Sequence, residues 1–241
     1  MIHRVLETGS TNSDLLARLR AGDLIPEGDW LVADKQTEGR GRQARDWFDG
    51  AGNFMGSSVI RLQPGDPDAA TLALVAGLAL HEAVAWHAPA QADLLLKWPN
   101  DLLLENAKLA GILLERAQDS VVLGIGVNLV FAPAIAGRKT AALSSFGTAP
   151  DRDAFAADLA KSFAAELQRW RQSGLAAIVR RWQALAHEIG TPMQVAQPGK
   201  AAVEGEYAGL TGDGALQLRL ADGSMRAIQA GEVFLAGGGD A

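Results

Sequence analysis

The chain contains no cysteine. That excludes disulfides, thiolate metal sites and a cysteine nucleophile, and it fits a reducing compartment. Long apolar runs are missing too. The longest stretch, Ala69 to Leu80, falls short of the roughly 20 residues a membrane helix needs, and His81 and Glu82 follow it. The opening MIHRVLETGS carries no apolar signal core and no small-residue cleavage pattern, so we expect a cytoplasmic chain with no membrane association. The four histidines (His3, His81, His87, His187) are scattered, and the closest pair, at i,i+6, does not share a helix face. A histidine metal site is therefore not expected. Neither a GxxxxGK[ST] phosphate loop nor a GxSxG nucleophile elbow occurs. An excess of positive charge is also lacking. The formal charge is −6, which argues against nucleic acid as a partner.

What is present is ordinary for a globular protein: 48% apolar and 21% charged residues in 241. That length corresponds to about 1.6 typical domains. Glycine is enriched, 27 residues, or about 11% against a usual level of about 7%, which points to loops where backbone closely approaches something. Up to residue 190, apolar runs read as strands at Ile2–Glu7, Trp30–Ala33, Asn53–Leu62, Leu102–Leu104, Leu109–Leu114 and Val121–Val127, and Leu94–Leu96 is a short apolar stretch. Helical patterns run over Asp14–Arg20, Asp68–Trp86, Asp151–Gln172 and Leu175–Ile189. Ser10, Thr11 and Asn12 offer N-cap residue types ahead of the first. Residues 34–52 read as a long loop and 129–149 as irregular. This mixture predicts an α+β domain over 1–190. From residue 191 the texture changes to short alternating runs punctuated by glycine turns. That predicts a small all-β barrel over 191–236 and a flexible tail, 237–241.

Five segments carry candidate chemistry. In Lys35–Arg45 four basic residues face one acidic residue, a local positive island on an acidic chain. Gly39 and Gly41 alternate with Arg40 and Arg42. Glycine exposes backbone amides to an oxyanion and arginine supplies forks matched to phosphate or carboxylate, while Trp47 is placed to stack on a base or cap a pocket. A solvated basic turn fits the same composition. In Lys97-Trp-Pro-Asn-Asp101, Pro99 makes a rigid corner from which Lys97, Asn100 and Asp101 project; a plain turn fits too. Lys108 opens an otherwise apolar strand and is either an ordinary edge lysine or one aimed at an anion. Gly124-Ile-Gly126 places two glycines in an apolar strand, a mark of close approach, with Asn128 at its end.

Taken in order, Ser10-Thr11-Asn12, Gln36 to Trp47 with its GRGR core, KWPND, KLAGIL and GIGVN resemble the biotin protein ligases over residues 5–236. The resemblance implies a class II synthetase-like catalytic domain with a mixed, mainly antiparallel sheet, followed by an SH3-like barrel. It implies an ATP-dependent, AMP- and pyrophosphate-forming ligase that makes biotinyl-5′-adenylate and transfers biotin to a lysine of a biotin carboxyl carrier protein, with Mg²⁺ accompanying ATP. By the same resemblance, Ser10, Thr11, Asn12, Gln36, Gly39, Arg40, Gly41, Arg42, Lys108 and Gly111 hold biotin. Arg42, Arg45, Trp47, Lys97, Asn100, Lys108 and Asn128 hold ATP or the adenylate. Lys108, Arg40 and Asp101 serve catalysis, Asp101 as base or orienter. No protein metal ligand is implied.

Three features depart from the family pattern: Ala44 where a glycine is usual, and Gln43 and Asp46, which reduce the loop's positive charge. We expect loop closure to differ in detail as a result. Ile2 already opens the catalytic domain, so no DNA-binding segment is expected ahead of it. Exposed edge strands suit pairing with a second copy or with the carrier. A lipoate–protein ligase, and a non-catalytic nucleic-acid binder using Arg40, Arg42 and Arg45, are the alternatives.

Overall fold

The computed structural model describes residues 1–48 and 50–235; the expected tail, 237–241, lies outside them. The chain opens with β1 (Ile2–Thr8), α1 (Thr11–Arg20) and β2 (Trp30–Gln36), with β1 and β2 parallel. Next come β3 (Phe54–Arg61), α2 (Leu72–Ala85), β4 (Leu94–Lys97), β5 (Asp101–Leu104), β6 (Ala107–Ala117) and β7 (Ser120–Val127). These strands form one seven-stranded sheet in the order β1-β2-β3-β7-β6-β5-β4, antiparallel apart from the first pair. The expected α+β class, mixed and mainly antiparallel, is what the chain adopts.

Strand alternation sorts the core onto two faces. Trp30, Val32, Phe54, Ile60, Val121, Leu123 and Ile125 face the main core beneath α2 and α3 (Arg152–Ser173). Leu31, Val59 and Val122 face the opposite side, against Leu15 and Leu16 of α1. Helix α2 is buried nearly all round, which explains its almost uniformly apolar sequence. Ser10 caps α1 and Asp151 caps α3 through side-chain acceptors.

Two expectations need correction. Helix α4 spans Leu175–Gln183 and stops well before Ile189. Ala184 and Leu185 close it in a turn, and the helix does not continue because Leu185 O accepts the Leu96 amide at 2.8 Å and Ala186 bridges to Leu96, giving the outer strand β4 a partner on its open side. Residues 34–52 are not one structureless loop. Strand β2 continues to Gln36, and a flap follows in which Trp47 N donates to Gly39 O (2.9 Å) and Gly41 N to Arg45 O (2.7 Å), around a 3-10 turn at Arg42–Ala44. The left-handed position in that turn is Gln43 (φ 57°), so Ala44 is not the residue that has to adopt a positive φ.

The C-terminal strands β8 (Pro192–Ala196), β9 (Val203–Leu210), β10 (Leu216–Arg219), β11 (Met225–Ile228) and β12 (Glu232–Leu235) form an antiparallel sheet in the order β11-β10-β9-β8-β12. Its inner residues, Val195, Tyr207, Leu216 and Val233 among them, join the main core. Trp98 Nε1 donates to Gly214 O (3.2 Å) and Leu210 N to Gln183 Oε1 (3.0 Å), tying this sheet to the rest.

Candidate functional site

A cavity of about 1020 Å³ opens where the flap, the β4–β7 end of the large sheet and strand β12 meet. It brings together every residue singled out as a candidate except Gly39. Gly39 instead closes the base of the flap, where an added Cβ would lie 2.5 Å from the Trp47 carbonyl oxygen.

One wall is a buried polar relay. The Thr11 amide donates to Gln36 Oε1 (2.8 Å), and the Thr11 hydroxyl lies 2.7 Å from Ser57 Oγ. Ser57 in turn donates to Asn12 Oδ1 (2.6 Å), and Asn12 Nδ2 donates to Glu115 Oε2 (2.9 Å). The start of α1 supplies two of these groups because its N-cap turn aims Thr11 and Asn12 at the sheet. Such a chain of fixed donors and acceptors is suited to reading a small polar ring rather than a bulk anion. Glycines make the floor. A Cβ at Gly124 would overlap the Asn12 amide, and one at Gly126 the Trp47 indole. Gly126 pairs with Gly111 across β6 and β7, so the indole lies over two residues without side chains. Its Nε1 is buried with no hydrogen-bond partner among the described residues.

The opposite wall carries charge. Lys97 pairs with Asp101 in the β4–β5 register, and one extra residue on β6 shifts the β5–β6 ladder next to Lys108. Lys108 Nζ thereby reaches Asp101 Oδ1 at 2.6 Å and lies 5.9 Å from the Trp47 ring. The Lys108 backbone is held by Lys139 O and the Ala141 amide, both at 2.9 Å. Burial pushes the Lys97 amine below the ordinary lysine range, with Asp101 pulling the other way and Lys108 adding to the depression. Asn100 Nδ2 donates to Ile112 O (2.6 Å) while its Oδ1 accepts from Arg42 Nη1 (3.0 Å), pinning the flap to the Pro99 corner. Burial also lowers Arg42, against Asp101 and Glu232. Asn128 lines the cavity, with its Nδ2 given to Ala141 O (3.1 Å).

The positive island is therefore distributed differently from its sequence. Lys35 turns to Glu7 (2.7 Å), Arg40 reaches Ser13 (2.8 Å) and Glu115 (3.4 Å), and Arg45 is bound to Glu232. Arg42, Lys97, Lys108 and Lys139 line the cavity as well, Lys108 in its ion pair with Asp101. Sequence reasoning passed over Ser57, Glu115, Arg138 and Glu232. Glu115 was detectable as the lone acid in an apolar strand; the other three carry no local signal.

The comparisons agree with this architecture. Residues 8–130 match the biotin/lipoate A/B protein ligase family, and residues 189–236 match the biotin protein ligase C terminal domain. A biotin–[acetyl-CoA-carboxylase] ligase from Paracoccus denitrificans is 40% identical over 95% of this chain and 98% of its own.

The chain belongs to the biotin protein ligase family.

A Mycobacterium tuberculosis member with the same description is 38% identical over 95% of this chain and 86% of its own, and a bifunctional ligase/repressor from Escherichia coli is 35% identical over 94% and 71%. The biotin protein ligase of Aquifex aeolicus in complex with biotin and ATP superposes with a TM-score of 0.83 at 25% identity, covering 97% of both chains. No helix among the described residues is long and apolar enough to cross a membrane.

Proposed function

We propose that this chain activates biotin as biotinyl-5′-adenylate and transfers it to a lysine of a biotin carboxyl carrier protein. The observation that carries the reading is a polar relay and a cationic wall facing each other across one cavity, under an arginine-bearing flap. The relay through Thr11, Ser57 and Asn12 takes the ureido ring of biotin, and the Gly111–Gly126 floor with Trp47 takes its apolar body. The valeryl carboxylate then ends near Lys108.

A carboxylate is a poor electrophile. Its oxygen attacks the α-phosphorus of ATP, the bond to the β-phosphate oxygen breaks, and pyrophosphate leaves. Arg42, Lys97 and Lys108 offset the repulsion between the two anions and stabilise the charge that develops on phosphorus. Asp101, 2.6 Å from Lys108 Nζ, orients that ammonium toward the cavity. The carrier lysine then attacks the acyl carbon, the carbon–oxygen bond of the mixed anhydride breaks, and AMP departs. No group of three or more His, Asp or Glu suited to a metal ion occurs among the described residues. Mg²⁺ enters with the nucleotide substrate, coordinated mainly by phosphates and water. The flap excludes water from the anhydride.

Pyrophosphate exchange with ATP and either biotin or lipoate, followed by transfer to a carrier domain, tests the reading. Exchange that needs biotin, then labelling of the carrier, is the expected result. Exchange with lipoate alone would move the substrate assignment to the lipoate ligases. Salt-sensitive nucleic-acid binding without any exchange would replace the enzyme reading.

A further inference from the structure

We propose that Glu232 is a positioning residue: a latch on the C-terminal sheet that holds the flap closed over the adenylate. The inference rests on the ligase reading for the identity of what is retained, and on geometry for the latch itself.

Three segments far apart in sequence meet at this one carboxylate. Arg45 of the flap grips it through both Nη atoms, with Nη1 2.6 Å from Oε1. Arg138, from the irregular segment that also lines the cavity, donates to Oε1 as well. A two-pronged guanidinium–carboxylate pair fixes direction as well as distance. Glu232 is only 22% exposed, so water screens the pair less than it would on an open surface. The hydrogen bond from Arg45, with Arg138 nearby, holds the Glu232 carboxyl below the usual glutamate range and therefore ionised.

The anchor is rigid and the tether is short. Glu232 sits on β12, where it pairs with Ala196 of β8, beside the buried Val233. Gly231 lets the strand come close, because an added Cβ there would lie 2.6 Å from Val195 Cγ1. On the flap side, Arg45 O accepts the Gly41 amide and Trp47 follows two residues later, so holding Arg45 holds the turn carrying Arg42 and the indole lying over Gly126. Glu232 thus acts through Arg45. The C-terminal sheet has separate attachments at Gly214 and Leu210, so loss of the carboxylate loosens the flap and leaves the sheet docked.

The test uses the full chain and two readouts. Trypsin cuts after arginine, so its cleavage after Arg42 and Arg45, timed without ligands, follows how readily the flap leaves Glu232. Glu232→Gln is expected to speed that cleavage about tenfold, the factor that about 1.4 kcal/mol produces, with only a small fall in the melting midpoint. Glu232→Asp, which keeps the charge, is expected to fall between Glu232→Gln and the parent chain. With biotin and ATP, Glu232→Gln is expected to release free adenylate faster, read as labelling of a bystander amine, while biotin-dependent pyrophosphate exchange persists. Equal cleavage in all three chains overturns the latch. Faster cleavage with unchanged adenylate release overturns its role in retention. A parent chain lacking biotin-dependent exchange would count against the ligase reading, and the proteolysis would still decide the latch.

Discussion

Truncating Lys108 leaves the Asp101 carboxylate facing the cavity without its 2.6 Å partner. Two anionic substrates would then meet a third negative charge. Lys108→Ala is expected to slow adenylate formation by about 10² to 10³, the usual cost of removing one preorganised electrostatic group, with little change in melting because both side chains are partly exposed. Near-parental pyrophosphate exchange would refute this. Lys97 gives a pH signature. Burial lowers its amine below the ordinary lysine value, so its charge is present below that lowered value and is lost as pH rises through it. Arginine stays charged throughout this range. The exchange rate of Lys97→Arg relative to the parent chain should therefore climb on the alkaline side, and a flat ratio would sink the assignment. Lys97, Lys108 and Asp101 became candidates through the order of strings that carries the resemblance, because alone a lysine before Trp-Pro-Asn-Asp fits a plain turn and a lysine opening an apolar strand fits an ordinary edge position. Ser57, Arg138 and Glu232 did not, since each draws its meaning from a partner dozens of residues away.

The strands were readable as elements because alternation assigns each residue to a face, and Leu31 against Trp30 and Val32 shows it at single-residue resolution. Helix α4 was overextended because its continuation, Leu185-Ala186, is apolar in either conformation; the open side of β4 decided that it turns and bridges to Leu96 instead. The flap shows the same limit. Its composition announced flexible, anion-seeking backbone, while its hairpin hydrogen bonds and its fastening to Asn100 and Glu232 depend on what it folds against. Two substitutions separate these features. Gly39→Ala would push a methyl against the Trp47 carbonyl oxygen, so the flap base cannot close, and the KM for biotin should rise about tenfold or more, on the scale that misplaced site groups cost. Gln43→Gly relieves a left-handed residue (φ 57°) and should leave the KM within about twofold, since glycine adopts that conformation without a Cβ clash. Equal effects of the two would show that flap geometry does not govern binding.

At the scale of the molecule, long-range ion pairs bind the parts together. Glu27, opposed by its own burial, is held below the ordinary glutamate range by Arg171 of α3; Asp34 is lowered by Arg4, and Glu232 by Arg45. All three shifts are downward, so their contribution is complete above the ordinary carboxylate range and is lost as pH falls through the lowered values. Urea midpoints should be nearly level from about pH 7 to pH 5 and fall below about pH 4. Added salt should blunt that fall, because several of the partners face solvent. A midpoint that drops above pH 5 would point to other groups. From its own residues the sequence determined the absence of thiol chemistry, the alternation of the strands, the caps of α1 and α3, and the strings that carry the family resemblance. These depend on neighbours within a few positions, where periodicity and local hydrogen bonding are encoded. The tertiary structure alone decided which cations line the cavity, where Trp47 rests, and that Arg45, Arg138 and Glu232 meet, because ion pairs and close approaches form only after distant segments have been packed against one core.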